Sequence, residues 1–322
     1  MGQLPKFSLE GDRYDQSTYW GRLQRCFDVV DPRTLFVTKE GLNHSLDLLK
    51  NFQEGKNPAN ITNEELWEAR KIKEAIVHPD TGENILMPFR MSGYVPFGTF
   101  TVIGMLIPGA SVPKVIFWQW LNQTHNACVN YSNRNATKPT PMSKFIQSYV
   151  GAVGSALTIA VGISMGIRKT SLLSANAKLL ASRFVAYPAT STANIANVYL
   201  MRQNELQQGI DVYDDKGNTV GTSKAAAKKA VFETALSRVI LPAPILIFPP
   251  VIMAMLEKTK FMMRRPGLSL PINAVVCTLA FGIALPFAIA LFPQQTKMER
   301  GKLEEDLASK TTSEFVYFNK GL

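Results

Sequence analysis

Residues 266–296 read PGLSLPINAVVCTLAFGIALPFAIALFPQQT and contain no lysine, arginine, aspartate or glutamate. An α-helix needs about 20 such residues to cross the hydrocarbon core of a bilayer. Five further stretches of the chain also lack all four charged residue types: 91–113, 115–133, 145–167, 184–201 and 239–256. Six such stretches in 322 residues are more than one water-soluble core can bury. The sequence therefore predicts an all-α polytopic membrane protein.

Charged residues are unevenly distributed along the chain. Residues 1–90 hold 12 lysines and arginines against 14 aspartates and glutamates, although the whole protein has 35 against 25 and a net charge of +10. The basic excess therefore belongs to the later part, where basic segments separate the apolar stretches as they do between membrane spans. We predict a soluble or membrane-surface helical region over 1–90, a transmembrane domain over 91–296, and a charged tail over 297–322 with one short helix around Leu303 and Leu307.

Two shorter patterns predict local structure outside the membrane. Thr62 and Glu65 form a T-x-x-E capping box, which predicts the start of a helix. Residues 210–213 and 218–220 flank a turn with Gly217 and predict a small surface hairpin. The hairpin is expected in the matrix or in the intermembrane space, and the sequence leaves the side open.

The stretch 115–133 carries the polar pattern most relevant to function. Read as a helix, it places amide side chains at steps of three or four residues along one face. The members of this amide stripe are Gln119, Asn122, Asn126, Asn130 and Asn133. Unpaired amides are costly in hydrocarbon, so the stripe is expected to face protein or a water-filled cavity. Two interpretations stay open: a path for a small polar solute, or hydrogen bonds that join membrane helices.

Prolines interrupt the charge-free stretch 239–256. Too many are present for an unbroken helix; they are Pro242, Pro244, Pro249 and Pro250. Broken membrane helices expose backbone carbonyls and helix ends, which transporters use to hold charged groups of a solute. A kinked segment with only a packing role is the alternative interpretation.

Four polar residues near these segments complete the candidates for a solute path. Asn194 and Asn197 lie on one side of the stretch 184–201. Arg202 and Arg238 lie at the ends of apolar stretches, where arginine serves as an interfacial anchor or as a partner for a carboxylate. If the solute is a multiply charged anion, we expect such an arginine to bind it, because desolvating the anion requires cationic partners.

The sequence offers no candidate constellation for enzyme chemistry. Its three histidines pair with no nucleophile or carboxylate cluster, and Cys26, Cys128 and Cys277 lie too far apart for a local metal or disulfide motif. A phosphate-binding GxxxxGK[ST] loop is absent, so transport is expected to be passive or coupled to an ion gradient. We therefore expect no enzyme activity, no cofactor and no metal.

Several long motifs resemble the sideroflexin family. They are DRYDQSTYWGR (12–22), HPDTGENILMPFRMSGYVPFG (78–98), FWQWLNQTHNACVNYSNRNATKP (117–139), LMRQNEL (200–206) and YFNKGL (317–322). The similarity extends over essentially the whole chain, and the PFRMSGY, NACVNYSNRNATKP and MLEKT segments are most similar to the sideroflexin-five branch. The resemblance implies a multi-pass carrier of the mitochondrial inner membrane with about five spans and no cleaved presequence.

The resemblance also implies a function, the transport of serine and related small amino acids, which would supply mitochondrial one-carbon metabolism. For this branch, citrate is the alternative solute. A hypothesis of another class is an inner-membrane scaffold or assembly factor, in which the polar stripes bind protein partners. The expected partners of a carrier are a small solute and the lipid bilayer, with no nucleic acid.

Overall fold

The computed structural model describes residues 5–9, 11–56, 60–133, 141–215, 217–293 and 295–319. Within them, fourteen α-helices form: α1 (Tyr19–Val29), α2 (Lys39–Gln53), α3 (Asn63–Ile76), α4 (Tyr94–Met105), α5 (Val112–Ser132), α6 (Met142–Lys169), α7 (Ala175–Ser182), α8 (Ala186–Gln208), α9 (Lys224–Ile240), α10 (Ala243–Leu256), α11 (Lys260–Arg264), α12 (Ser269–Leu279), α13 (Leu285–Ala290) and α14 (Glu305–Ala308). The same residues contain four strands: β1 (Ile210–Tyr213), β2 (Thr219–Ser223), β3 (Gln295–Glu299) and β4 (Phe315–Asn319). Lys216 of the predicted hairpin turn and the RNATKP end of the 117–139 motif lie outside the described residues.

The chain divides into two compact units. Unit 1 comprises residues 1–104, 124–139 and 252–291, and unit 2 comprises residues 105–123, 140–251 and 292–322. The predicted boundaries at residues 90 and 296 stay predictions.

In unit 1, the N-terminal helices begin where the sequence predicts. The Thr62 side chain accepts a hydrogen bond from the Glu65 backbone, and the Glu65 carboxylate accepts one from the Thr62 backbone, so the predicted capping box is confirmed at the start of α3. Helices α2 and α3 pack against each other around Leu49, Trp67 and Phe7, which are all buried. Their apolar faces thus find partners within the N-terminal region.

Helix α1 packs against α13 at the end of the last apolar segment of unit 1. Arg22 Nε donates to the Ala290 carbonyl at 2.9 Å, and the Tyr19 hydroxyl donates to the Phe287 carbonyl at 3.3 Å. The last carbonyls of a helix have no intrahelical donor. The two α1 side chains therefore supply donors to the C-terminal end of α13.

In unit 2, small residues bring the long helices together. Helix α6 packs along α8 through Ala152, Ala156 and Ala193, and through Ala160 and Ala189 further along. Small side chains let helix backbones approach closely, which is how helices associate in a bilayer. Helix α8 packs in turn along α9.

Unit 2 also contains a four-stranded antiparallel sheet in the order β2-β1-β4-β3. Strands β1 and β2 confirm the predicted hairpin. The tail contains the predicted short helix, α14, but it also forms β3 and β4, which the sequence did not predict. Val316 and Phe318 of β4 are fully buried together with Val212 of β1. The tail is therefore built into the core of the sheet.

Three helical segments of the described chain are long and apolar enough to cross a membrane: Met142–Lys169, Lys224–Leu256 and Pro266–Ala290. The third joins α12 and α13 through a π-helix over Ala280–Ala284. Helices α5 and α8 have 21 and 23 residues, which is sufficient length, but polar side chains reduce their apolar character. The protein is an all-α polytopic membrane protein with a small sheet, and the expected number of about five spans stays a prediction.

The helix in the proline-rich segment 239–256 has fewer interruptions than the sequence predicts. A turn at Leu241 and Pro242 separates α9 from α10, but α10 continues through Pro249 and Pro250. The expected interruption at these last two prolines is wrong. A membrane helix tolerates an internal proline when local adjustments and neighbouring groups satisfy the freed carbonyls.

Candidate functional site

Helix α5 places the amide stripe on one helical face, as predicted. Its members differ in exposure: Gln119 is 2% exposed and Asn122 is 6% exposed, whereas Asn126 is half-buried and Asn130 is exposed. Gln119 and Asn122 belong to unit 2, and the others belong to unit 1. Asn133, the last predicted member, lies just beyond the end of α5 and is exposed. The buried part of the stripe is therefore the part nearer the N-terminus of α5.

The side chain of Gln119 has a buried hydrogen-bond acceptor that receives no hydrogen bond in the described residues. Its Oε1 atom has no hydrogen-bond partner within the described residues. A buried polar atom in this state costs about 1–3 kcal/mol relative to a satisfied one. Gln119 therefore retains an unused hydrogen-bond acceptor within the described residues.

Gln119 lines a cavity of about 310 Å³ in unit 2. The cavity is lined by the loop after α4, by α5, by the last residues of α6, by α7 and by the start of α8, and it is open to solvent on one side. Its polar lining side chains are Gln119, Ser164, Arg168, Lys178 and Ser182, and no aspartate or glutamate of the described residues lines it. The volume lies at the lower end of the range for ligand pockets, about 300–1,000 Å³, and suits a small solute.

Hydrogen bonds to the backbone hold the cavity wall together. The Arg168 guanidinium donates to the Ala110 carbonyl, and Lys178 Nζ donates to the Arg168 carbonyl at 3.1 Å. The Ser182 hydroxyl accepts from the backbone of Gly109, whose φ of 68° lies in the left-handed region that favours glycine. Because a guanidinium has five donors and an ammonium has three, both cations keep donors for a ligand.

In unit 1, Asn126 joins a cluster of aromatic side chains. The Tyr94 hydroxyl donates to Asn126 Oδ1 at 3.0 Å, and the Tyr94 ring stacks on His125 with 5.9 Å between centroids. His125 Nε2 lies 3.1 Å from the Pro88 carbonyl oxygen, and the edge of the Tyr94 ring contacts Phe281. Asn126 thus makes a hydrogen bond between α5 and α4.

Asn194 and Arg238 meet, but through the backbone of Arg238. The Asn194 amide donates to the Arg238 carbonyl at 3.2 Å. In a regular helix this carbonyl would accept from residue 242, which is Pro242 and has no N–H. The Tyr187 hydroxyl likewise donates to the carbonyl of Val239 at 3.2 Å. Helix α8 therefore satisfies carbonyls at the break between α9 and α10.

Arg202 lies between α8 and α9. Its guanidinium pairs with Glu205 and donates to the Thr234 hydroxyl at 2.9 Å, and its side chain is 11% exposed. Asn197, five residues earlier on α8, is half-buried. Arg202 is thus engaged with the protein itself, as an interhelical tie.

The sequence did not single out the cations of the cavity. Arg168 lies in the last turn of α6 and Lys178 lies in α7, and such basic residues at the end of an apolar segment indicate only which side of the membrane the segment occupies. Ser164 lies one turn before Arg168 on α6, whereas Gln119 comes from α5. The cavity arises from tertiary packing, and no local spacing of residues in the sequence predicts it.

Comparison with known proteins identifies relatives along the whole chain. A family profile described as Sideroflexins matches residues 8–322. The chain is 54% identical to Sideroflexin-5 of Homo sapiens over 318 residues, which cover 99% of this chain and 94% of the relative. It is 50% identical to Sideroflexin-5 of Caenorhabditis elegans, covering 99% and 96% of the two chains. It is 39% identical to Sideroflexin-1 of Sus scrofa, covering 100% and 99%.

The resemblance predicted from the motifs is therefore confirmed, including the higher similarity to the sideroflexin-five branch than to Sideroflexin-1. No solved structure matches this chain.

Proposed function

This chain belongs to the sideroflexin family, and from that premise we propose that it is a mitochondrial inner-membrane transporter of small amino acids such as serine. Family membership and the apolar helices support a carrier in a lipid bilayer. The imported amino acid would supply mitochondrial one-carbon metabolism. The partners of the protein in this role are the solute and the bilayer.

One observation carries the proposal: a cavity of small-solute size is lined by a buried amide whose oxygen has no partner in the described residues. An amide that only joined helices would have its hydrogen bonds satisfied by the neighbouring helix. Gln119 instead lies in the wall of the cavity, and its oxygen keeps no partner in the described residues. The solute-path interpretation of the stripe is thus favoured at Gln119 over the helix-joining one.

The remaining candidates keep separate roles in the proposal. Asn122 continues the buried part of the stripe next to Gln119. Asn126, Asn130 and Asn197 stay predicted members of the path, and Arg202 and Arg238 stay predicted partners of an anion. The contacts of Asn194 and Arg202 with α9 support a structural contribution from both.

A second candidate function is the transport of a tricarboxylate such as citrate. It is favoured by the charge of the cavity, where Arg168 and Lys178 contribute two cations and no acid of the described residues opposes them. Multiply charged anions need such partners when they leave water.

Reconstitution tests the proposal directly. Purified protein in liposomes is loaded with unlabelled solute, and uptake of labelled serine and labelled citrate is measured against protein-free liposomes. Saturable serine uptake supports the proposed function, and citrate uptake without serine uptake supports the second candidate. If the purified protein carried neither solute, the transport proposal would be wrong and the scaffold hypothesis would be favoured.

A further inference from the structure

We infer that the corner between α6 and α7 binds a phospholipid with an anionic headgroup, through Arg168, Lys178 and Leu179. The ligand is a molecule of the bilayer itself, with its headgroup at the two cations and its chains beside the apolar surface of α7. The headgroup occupies the open side of the unit 2 cavity and stays there. The inference therefore goes beyond the proposed function and does not depend on any transported solute.

The length of α6 places this corner at the level of the lipid headgroups. Met142–Lys169 is one of the segments long and apolar enough to cross a membrane, and its 28 residues extend over about 42 Å. A bilayer with both headgroup regions is about 40–45 Å thick, so we expect Arg168, in the last turn of α6, among the headgroups. The connection 170–174 spans at most about 17 Å, and α7 therefore stays close to the same surface.

Helix α7 has no protein core of its own. It has eight residues and none of them is buried, whereas isolated helices shorter than about 12–15 residues are marginal in water. Its leucines Leu179 and Leu180 are 44% and 45% exposed, and Leu172 in the preceding connection is 92% exposed. Exposed leucines beside cationic residues are typical of helices that lie in the membrane interface. The apolar surface of α7 therefore suits lipid chains better than water.

The charge of this part of the chain favours an anionic lipid. Between Glu83 and Glu205 the sequence has ten lysines and arginines but no aspartate or glutamate. Neither Arg168 nor Lys178 forms an ion pair with a carboxylate in the part of the chain that the structure describes. Each basic residue near a membrane surface strengthens the attraction to anionic lipid about fivefold.

The unit 2 cavity offers a defined place for the headgroup, because Arg168 and Lys178 both line it. The guanidinium donates to the Ala110 carbonyl, and Lys178 Nζ donates to the Arg168 carbonyl at 3.1 Å. Little more than the length of the arginine side chain can therefore separate the two cations. Both attract the same headgroup without having to contact one phosphate oxygen, and both keep donors for it. Basic pockets between membrane helices bind anionic headgroups in this way.

Adjacent residues of similar type distinguish this site from the general attraction of a basic surface to lipid. Leu179 lines the cavity, and the equally exposed Leu180 does not. Arg168 lines the cavity, and the next residue, the exposed Lys169, does not. If only charge and apolar area attracted lipid, both members of each pair would contribute equally. A site at the cavity predicts that only the lining member contributes.

The test measures which lipids the full-length protein retains when it is released from nanodiscs into a native mass spectrometer. The nanodiscs contain equal amounts of phosphatidylglycerol and phosphatidylcholine with identical chains. The wild type should retain phosphatidylglycerol in preference to phosphatidylcholine. Arg168→Gln and Lys178→Gln should each lower the ratio of the two retained lipids about fivefold, and Lys169→Gln should leave it unchanged. Leu179→Asn should lower the retained phosphatidylglycerol several-fold, and Leu180→Asn should not.

Soluble anions offer the same oxyanion chemistry as the lipid headgroup. An excess of glycerol 3-phosphate or of citrate is therefore added to the nanodiscs before release. Neither should displace phosphatidylglycerol, because neither has chains to lie beside Leu179. Displacement by either would assign the two cations to a soluble anion and overturn the inference.

Further variants separate a lipid contact from a folding defect. Arg168→Lys should retain most of the phosphatidylglycerol because it keeps the charge, and all variants should have the wild-type thermal midpoint in phosphatidylcholine nanodiscs. If Arg168→Gln alone were less stable, Lys178→Gln and Arg168→Lys would decide the test. Equal retention of both lipids by the wild type, or an equal loss in Lys169→Gln and Arg168→Gln, would overturn the inference.

Serine uptake in liposomes tests the transport function separately. Selective retention of phosphatidylglycerol without serine uptake would keep the lipid site and reject the transport function. Serine uptake without selective retention would reject the lipid site and keep the transport function.

Discussion

Two regions of unit 2 contain the same kinds of polar residue but treat them differently. At the interface of α8 and α9, Asn194 and Arg202 have partners within the protein. At the cavity, the oxygen of Gln119 has none in the described residues, and the hydrogen bond of Arg168 goes to a backbone carbonyl. Residue type alone therefore does not distinguish a structural amide or arginine from one that is available to a ligand. The partner of each group does, and mutations should separate stability from transport along that line.

The largest effect is expected for Arg202→Met, on stability. The change removes the cation that pairs with the Glu205 carboxylate and the hydrogen bond from Arg202 to the Thr234 hydroxyl between two packed helices. Loss of these charge-assisted hydrogen bonds should cost about 2 kcal/mol, seen as a lower thermal midpoint in nanodiscs. Arg264→Met, at an exposed arginine, is the control. An unchanged midpoint with lost serine uptake would contradict the structural role of Arg202, because Arg202 would then act on the solute.

Gln119→Leu should have the next largest effect, on transport alone. We expect serine uptake to fall about tenfold, the equivalent of about 1.4 kcal/mol, because the ligand loses a buried acceptor. The thermal midpoint should stay the same or rise, since an unsatisfied polar group is replaced by an apolar one of similar size. Gln123→Leu should leave uptake at the wild-type level. A drop in the midpoint together with uptake would show that Gln119 is structural after all.

A smaller stability effect is expected for Asn194→Leu. The substitution leaves the Arg238 carbonyl without this donor, and Pro242 cannot replace it. We expect a loss of about 1 kcal/mol in the free energy of unfolding, measured as a lower thermal midpoint. Asn197→Leu, on the same side of α8, should change the midpoint less. The opposite ranking would mean that the break between α9 and α10 does not depend on α8.

The smallest effect concerns the tail and is a dependence on pH. Burial tends to raise the pKa of Glu304, but hydrogen bonds from Ser223 and from the backbone of Lys224 and Ala225 outweigh it and hold this pKa below its ordinary value. A depressed carboxylate pKa stabilises the fold above the ordinary pKa of glutamate, about 4.3, and this stability is lost as the pH falls below that value. Glu304→Gln should cost about 0.5 kcal/mol at pH 7 and flatten the fall of the midpoint between about pH 5 and 3, measured by thermal melts across that range.

Local sequence patterns predicted which helices and strands form better than they predicted which of these elements pack or pair with each other. The charge-free stretches indicated the long helices, the steps of three and four placed Gln119 and Asn122 on one face, and the Gly217 turn indicated the hairpin. Each of these signals depends on residues close together in the chain. Strand β4 shows the limit: Val316 and Phe318 alternate with exposed Tyr317, but five residues with this pattern identify no partner strand.

The candidate site was predictable only where it lies on one helix. Gln119 belongs to a stripe that the sequence displays, whereas Arg168 and Lys178 look like the ordinary basic flank of a membrane span. The pairing of Asn194 with the Arg238 carbonyl was hidden for a related reason. Pro242 indicates that the Arg238 carbonyl lacks its usual backbone donor. Only the packing of α8 on α9 determines which side chain donates to this carbonyl instead.

The sheet has a consequence for the route of the chain through the membrane. Its hydrogen bonds join β1 to β4, so residues 210–223 and 295–319 lie on the same side of the bilayer. A chain that leaves one side and returns to it crosses an even number of times, and the two apolar segments Lys224–Leu256 and Pro266–Ala290 lie between the two pairs of strands. We therefore expect these two segments to enter the bilayer as a pair. An epitope at Asp215 and one at the C-terminus should become accessible to an antibody together.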